Sequence, residues 1–234
     1  MKLGIMQPYF FPYIGYFQLI AAVDQFVVHD DVQWIKGGWI NRNRILAQGE
    51  PRYITLPIRK DSTLLNINHR TISSDSGQQI KKILQQIMET YRHAPCFGPV
   101  FKLISQCLAC RETNASAFIV HTLRECCNYL GIDTPFVLSS ELKKKDELKG
   151  AKRVLEINRV MGARHYINPI GGMELYDKAS FADNGIQLDF IRTRDISYQQ
   201  FENHAFVPFL SIIDVMMFNS KQQIKGFLNE YDLC

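Results

Sequence analysis

The sequence predicts an α/β fold, a largely parallel sheet interrupted by a helical insertion, and two observations carry that prediction. Short apolar runs at residues 3–6, 26–28, 135–140, 165–170 and 186–192 lead into polar or glycine-rich segments. Between several of them lie stretches whose apolar residues recur every three or four positions, the spacing of an amphipathic helix. Strands separated by helical crossovers pair in parallel, because a parallel neighbour is reached only through a long connection.

Residues 3–45 organise the rest. The apolar run at 3–6 breaks at Gln7-Pro8, and a turn rich in proline and aromatics follows. An apolar segment at 15–23 then reads as a helix, and the run at 26–28 stops abruptly in His29-Asp30-Asp31. Strand, loop, helix, strand is the opening of a Rossmann-like sheet, whose ligands sit outside the carboxyl ends of the strands. Gln7 and the His29-Asp30-Asp31 triplet therefore fall on one edge, where loops carry the polar groups that buried strands exclude. Residues 34–45 read as a loop, with Gly37-Gly38 permitting a sharp turn. Residues 52–58 read as a strand ended by Pro57, and 66–72 as a further short strand.

A helical block spans about residues 75–132. Ser73-Ser74-Asp75 offers a cap, and Ile80, Ile83, Leu84, Ile87 and Met88 mark one apolar face. A second helix covers 100–110, and a third runs from 114 or 116 to 130, closed by Gly131. No Gly/Ser-rich linker sets the block apart, so one α/β domain over residues 1–234 is expected. After residue 134 the alternation resumes: a strand ending in Ser139-Ser140, a helix at 150–161, and a strand at 165–170 followed by Gly171-Gly172. A short helix at 181–184, a strand at 186–192 and two terminal helices at 208–217 and 220–231 complete the reading.

At 234 residues, 46% hydrophobic and 21% charged, the chain has the make-up of a soluble globular protein. A net charge of +4 is too mild to demand a nucleic-acid duplex and suits an anionic small molecule equally well. No apolar run approaches a membrane span and no signal peptide is visible, so no membrane insertion and a cytoplasmic location are expected. The six cysteines lack paired spacing, Cys107 and Cys110 forming the one Cys-x-x-Cys, and read as reduced, buried thiols. The Gly-x-Gly-x-x-Gly fingerprint, the P-loop and the Gly-x-Ser-x-Gly elbow are all missing, which sets aside the commonest nucleotide folds and hydrolases.

The candidate site is drawn from strand ends. His29, Asp30 and Asp31 are the candidate catalytic residues. A histidine beside carboxylates forms an oriented base, or the two aspartates supply oxygens to Mg2+, the plainer alternative being a solvated strand end. Gln7 is a polar group fixed by the following proline, and the turn up to Tyr16 either packs a core or places a helix N-terminus at a phosphate. Lys36, Arg42 and Arg44 favour an anionic substrate. Ser139 with the lysines at 143–145, and Asn168 with Gly171 and Gly172, are further strand-end groups at which a backbone can approach a ligand. His69, His93, His121, His165 and His204 have no ligand spacing and read as structural or surface groups. Gln7, the His29-Asp30-Asp31 corner and the string Asn41-Arg42-Asn43-Arg44 are expected to converge on one cleft.

These residues resemble the WbqC-like family of bacterial proteins. The likeness rests on Met6-Gln7-Pro8-Tyr9 with Phe11-Pro12 and Gly15-Tyr16, Asp30-Asp31-Val32-Gln33, Asn41-Arg42-Asn43, Leu56-Pro57, Asn168-Pro169-Ile170-Gly171-Gly172 and Ser211-Ile212-Ile213-Asp214. It implies a setting in O-antigen and other surface-polysaccharide or secondary-metabolite biosynthesis. There the expectation is a transferase or ligase attaching an acyl or aminoacyl group to a nucleotide-activated amino sugar or similar phosphate-bearing metabolite. The alternative is a non-catalytic nucleotide- or RNA-binding protein of such a pathway. Gln33, Asn41 and Asn43 join the substrate-binding candidates through these motifs. Tyr13-Ile14-Gly15-Tyr16 is similar in register to the His-x-Gly-His signature of nucleotidylyltransferases, with tyrosine at both histidine positions, which adds Tyr13, Gly15 and Tyr16. A nucleotide with Mg2+ is the expected cofactor, a nucleotide-linked small molecule the expected partner, and transfer RNA and self-association remain open.

Overall fold

The computed structural model describes residues 1–201 and 205–234, so the reading of His204 lies outside the described residues. In chain order, β1 (Lys2–Met6) passes through α1 (Ile14–Ala21) to β2 (Gln25–Val28). A hairpin follows, β3 (Arg42–Ala47) and β4 (Glu50–Thr55), and then the helical block α2 (Ser76–Tyr91), α3 (Phe97–Leu108) and α4 (Ala115–Leu130). The chain returns through β5 (Phe136–Leu138), α5 (Gly150–Met161), β6 (His165–Pro169), α6 (Lys178–Ala182) and β7 (Gln187–Thr193). It ends with α7 (Ile212–Phe218), α8 (Lys221–Phe227) and β8 (Tyr231–Leu233).

Six strands form one sheet in the order β5-β2-β1-β6-β7-β8. All neighbours pair in parallel except β8, which runs antiparallel to β7. This is the largely parallel, Rossmann-like sheet that the alternation predicts. Both faces of the sheet are covered, which explains why its strands are continuous apolar runs. Leu3, Ile5, Val27, Tyr166 and Leu188 pack with Val154, Ile157 and Phe181, residues of α5 and α6. On the opposite face α1, the helical block, the hairpin and α7 share one continuous core, built around Phe10, Phe17, Ile45, Phe118 and Met216.

The helices end where their sequences dictate. Asn114 accepts from the Ala117 N–H to start α4, and left-handed Gly131 closes it. Ser73 and Asp75 bond each other, and the Asp75 side chain makes no capping bond to the α2 backbone.

Four boundaries differ from expectation. Residues 34–45 are not all loop, because β3 starts at Arg42. Its alternation is hidden by having polar groups on both parities: Arg42 and Arg44 lie over aromatic rings while Asn43 is buried. Gln48 and Gly49, both with positive φ, form the tight primed turn into β4. Residues 66–72 hold one 3-10 turn, Ile67–His69, flanked by isolated bridges. The helix expected from 208 begins only at Ile212, and the one expected to 231 stops at Phe227, which frees Tyr231–Leu233 to edge the sheet.

Candidate functional site

The chain leaves β1 toward β2 and β5, then returns across the sheet to β6 on the other side of β1. The carboxyl ends of β1 and β6 therefore diverge at the switch point, where loops of opposite sense leave a crevice. A cavity of about 290 Å3 lies at these strand ends, lined by Tyr9, Tyr13, Trp39, Arg44, Ile170, Arg192, Thr193 and Phe209.

The loop after β1 that brings Tyr9 and Tyr13 there is pinned from two sides. Phe11 takes a left-handed φ of 41°, unfavourable for a bulky residue. Its carbonyl is held by Asn43 Nδ2 at 2.5 Å and by Ser211 Oγ at 2.7 Å. Ser211 also caps α7, and the Ile212 N–H donates to the Pro12 carbonyl. Tyr16 is buried and its hydroxyl donates to the Gln7 backbone carbonyl at 2.8 Å, fixing the end of β1. Gly15 is required because a Cβ there would lie 2.4 Å from the Tyr13 ring and 2.5 Å from Thr193 Oγ1. Thr193 in turn donates to the buried Gln18.

On the opposite wall, period-two alternation in β3 turns Arg44 toward the Trp39 ring, 5.4 Å from its centroid. The only hydrogen bond of its guanidinium among the described residues is a long one, 3.4 Å, to the Phe209 carbonyl, and Arg44 Nε is buried without a partner. Neither Arg44 nor Arg192 forms an ion pair among the described residues. Burial raises the phenol pKa values of Tyr9 and Tyr13, so both remain neutral hydrogen-bond donors at ordinary pH. Guanidinium groups, neutral phenols and aromatic walls, with no carboxylate in the lining, suit a planar or sugar-like anion.

The neighbouring strand ends, those of β2 and β5, carry a different assembly. Asp31 Oδ2 meets Lys144 Nζ at 2.6 Å and Arg153 Nη2 at 2.5 Å. Burial raises the Asp31 pKa, but Lys144 and Arg153 outweigh it and hold the carboxyl below its usual range. Lys144 also donates to the Ser139 carbonyl, and its side chain is 1% exposed. The buried Ser139 hydroxyl stands near Asp31 without good hydrogen-bond geometry. Asp30 takes both the Ser140 N–H (3.0 Å) and the Ser140 hydroxyl (2.6 Å). His29 Nε2 is 3.9 Å from Asp31, too far to bond. Burial pushes the imidazole pKa down to about 4, against the pull of Asp31, so His29 is neutral and a weak base. Among the described residues no group of three or more His, Cys, Asp or Glu gathers to hold a metal. Donors engage both Asp30 oxygens and Asp31 Oδ2, leaving only Asp31 Oδ1, buried and without a partner among the described residues, to meet a Mg2+ ion.

The one expected cleft thus divides into two neighbourhoods. None of His29, Asp30 and Asp31 lines the cavity, and no side-chain hydrogen bond or ion pair among the described residues joins them to Arg44. Gln7 is half-buried between, its side chain making no hydrogen bond to the described protein. The remaining candidates serve the frame. Asn41 bonds the Leu56 carbonyl, and Arg42 bonds the Gly37 and Gly38 carbonyls while lying over Tyr53. Gln33 reaches the Thr63 carbonyl, and Lys36 is exposed. Buried Asn168 donates to the Tyr166 hydroxyl, and a Cβ on Gly172 would fall 1.9 Å from Asn168 Oδ1. That tight turn sets Ile170 in the cavity wall, while Gly171 is exposed.

The sequence reading missed Tyr9, Trp39, Ile170, Arg192, Thr193 and Phe209 as lining residues. Arg192-Thr193 had the same signal as His29-Asp30-Asp31, polar groups following a buried strand. The aromatics had none that separates a cavity wall from a core. A larger hollow, about 1130 Å3, lies between residues 195–201 and the α7–α8 region, offering mainly amides and aromatics.

Fold and site define an α/β protein with a Rossmann-like sheet and a cation-bearing cavity at its switch point. The chain belongs to the WbqC-like protein family, whose profile matches residues 7–226. It is similar to the uncharacterized protein Rv1507c of Mycobacterium tuberculosis (strain H37Rv), 28% identical over 231 residues and covering 97% of each chain. No solved structure matches it significantly. Among the described residues, no helix is long and apolar enough to cross a membrane.

Proposed function

We propose that the protein is an enzyme of transferase or ligase type acting on a nucleotide-activated sugar or similar phosphate-bearing metabolite. Its task is to attach an acyl or aminoacyl group in surface-polysaccharide biosynthesis, at the cytoplasmic stage where such sugars are activated. The observation that carries this reading is the unpaired Arg44 guanidinium at the switch-point cavity, with Arg192 beside it. Arg44 is half-buried, with its Nε shielded from solvent and without a partner, and Arg192 is exposed, so an anionic ligand would find both charges unpaired among the described residues. Trp39, Tyr9 and Phe209 supply flat apolar surface for a base or sugar ring. No cavity residue is a general base near neutral pH, so catalysis there is by positioning and by charge stabilisation.

A second reading, binding without chemistry, is favoured by the cavity lining, which among the described residues holds no histidine, carboxylate, lysine or cysteine. One experiment separates the two. Titration calorimetry with nucleotides, nucleotide-sugars and inorganic phosphate is run on the wild type and on Arg44→Ala, and mass spectrometry follows any product formed from an amino sugar and acyl donors. Arg44-dependent binding with product supports the enzyme, and binding without product supports the carrier. No Arg44-dependent binding of any of these anions overturns both.

A further inference from the structure

A second cavity, also about 290 Å3, backs onto the first and shares Tyr13, Thr193 and Phe209 with it. Its other walls include Ile14, Ile196, Phe206, Leu210 and Val215, so it is mainly apolar. Its charges are the reverse of its neighbour's. The one guanidinium in its lining, Arg194, is taken by Asp232 at 2.5 Å and Glu230 at 3.6 Å. The carboxylate in its lining, Asp195, is exposed, stands also at the rim of the larger hollow, and has no ion pair among the described residues. One chamber therefore offers free positive charge, and the adjoining one offers apolar walls with a free negative charge.

We infer that this second cavity binds an amino acid with an apolar side chain, free or as the head of an activated derivative. The side chain occupies the apolar chamber and the ammonium group faces Asp195. A dry cavity of about 150 Å3 accommodates benzene, so this one has room for a leucine or phenylalanine side chain. The shared wall is held by contacts already described: Gly15 admits the Tyr13 ring, and Thr193 is fixed by Gln18. Phe209 is the exposed member of that wall and is held in a left-handed conformation (φ 56°). Two ligands on either side of Tyr13, Thr193 and Phe209 would lie within one side chain of each other. The inference rests on the proposed function only in naming this ligand the source of the transferred group.

The test uses the full chain and four probes: L-leucine, L-phenylalanine, glycine, and 4-methylpentanoate, which is leucine without its amine. Binding is followed by calorimetry or ligand-observed NMR. Leucine or phenylalanine should bind saturably, with glycine and 4-methylpentanoate weaker by roughly tenfold or more. Ile196→Trp, which fills the chamber, and Asp195→Asn should each weaken the amino acid by roughly tenfold, while Arg44→Ala leaves it unchanged. Should Ile196→Trp fail to fold, Phe206→Ala enlarges the same chamber and should weaken leucine more than phenylalanine. Absence of saturable amino-acid binding, equal affinity for 4-methylpentanoate, or indifference to both chamber variants would overturn the inference. Phosphate or nucleotide binding that persists in those circumstances leaves the proposed function standing. Amino-acid binding without any Arg44-dependent anion binding sinks the proposed function and spares the inference.

Discussion

Two stretches of the same sheet edge use charge in opposite ways. At the ends of β2 and β5, Lys144 and Arg153 both pair with Asp31. At the ends of β1, β6 and β7, Arg44 and Arg192 face a hollow with no carboxylate in its lining. The two stretches thus differ in how far their charges are paired: two cations share one carboxylate at the first, and Arg44 and Arg192 enter no ion pair among the described residues at the second. The β2–β5 corner is the brace of this comparison, and the β1–β6 crevice, the proposed anion site, is its receptacle.

Substitutions should separate brace from receptacle, and Asp31→Ala carries the largest expected effect. It strands Lys144 and Arg153 without their counterion and should cost about 3–5 kcal/mol of stability, read from urea midpoints. A loss below about 1 kcal/mol, the worth of an exposed pair, would break the comparison.

The next effect is on pH dependence. An unfolded imidazole takes a proton near pH 6.5, whereas folded His29 resists until about pH 4. As pH falls through that window the unfolded state binds more protons, and stability should drop by up to about 3 kcal/mol. Asp31, held low by its cations, adds its own loss only below the ordinary carboxylate range. Denaturation of His29→Gln should show a flatter profile between those pH values, and an unchanged slope would remove His29 as the cause.

On the receptacle side, Arg44→Ala should weaken anion binding by roughly tenfold, about 1.4 kcal/mol. Folding stability should change by less than about 1 kcal/mol, the scale of its cation–π contact with Trp39. The smallest effect expected is from Ser211→Ala. It removes one of two donors to the Phe11 carbonyl and should cost about 1 kcal/mol, with a matching small loss of anion affinity as the Tyr9–Tyr13 loop loosens.

Most of the sheet was legible because buried parallel strands write themselves as apolar runs. β3 was not, since its arginines cover aromatic rings by their planar faces and so stand where apolar residues would be expected. β8 was not, because one half-buried residue followed by two exposed ones leaves no periodicity to read. The site divides the same way. Arg44 and Tyr13 were visible as polar or turn residues in a strand–loop–helix frame, but pairing across the fold decides which charges remain free. The sequence of residues 29–31 alone does not contain Lys144 and Arg153, more than a hundred positions away.

Arg44 rides on a hairpin, and Trp39 just precedes it, yet that hairpin is hydrogen-bonded to none of the six strands of the main sheet. The hairpin is tied to the sheet by packing instead: Ile45, Leu46 and Ile54 lie in the core of one face, and Asn43 holds the Phe11 carbonyl. Exchanging the outward positions of the hairpin between relatives, with Asn43 and those buried residues kept, should alter the proposed anion site while preserving the fold.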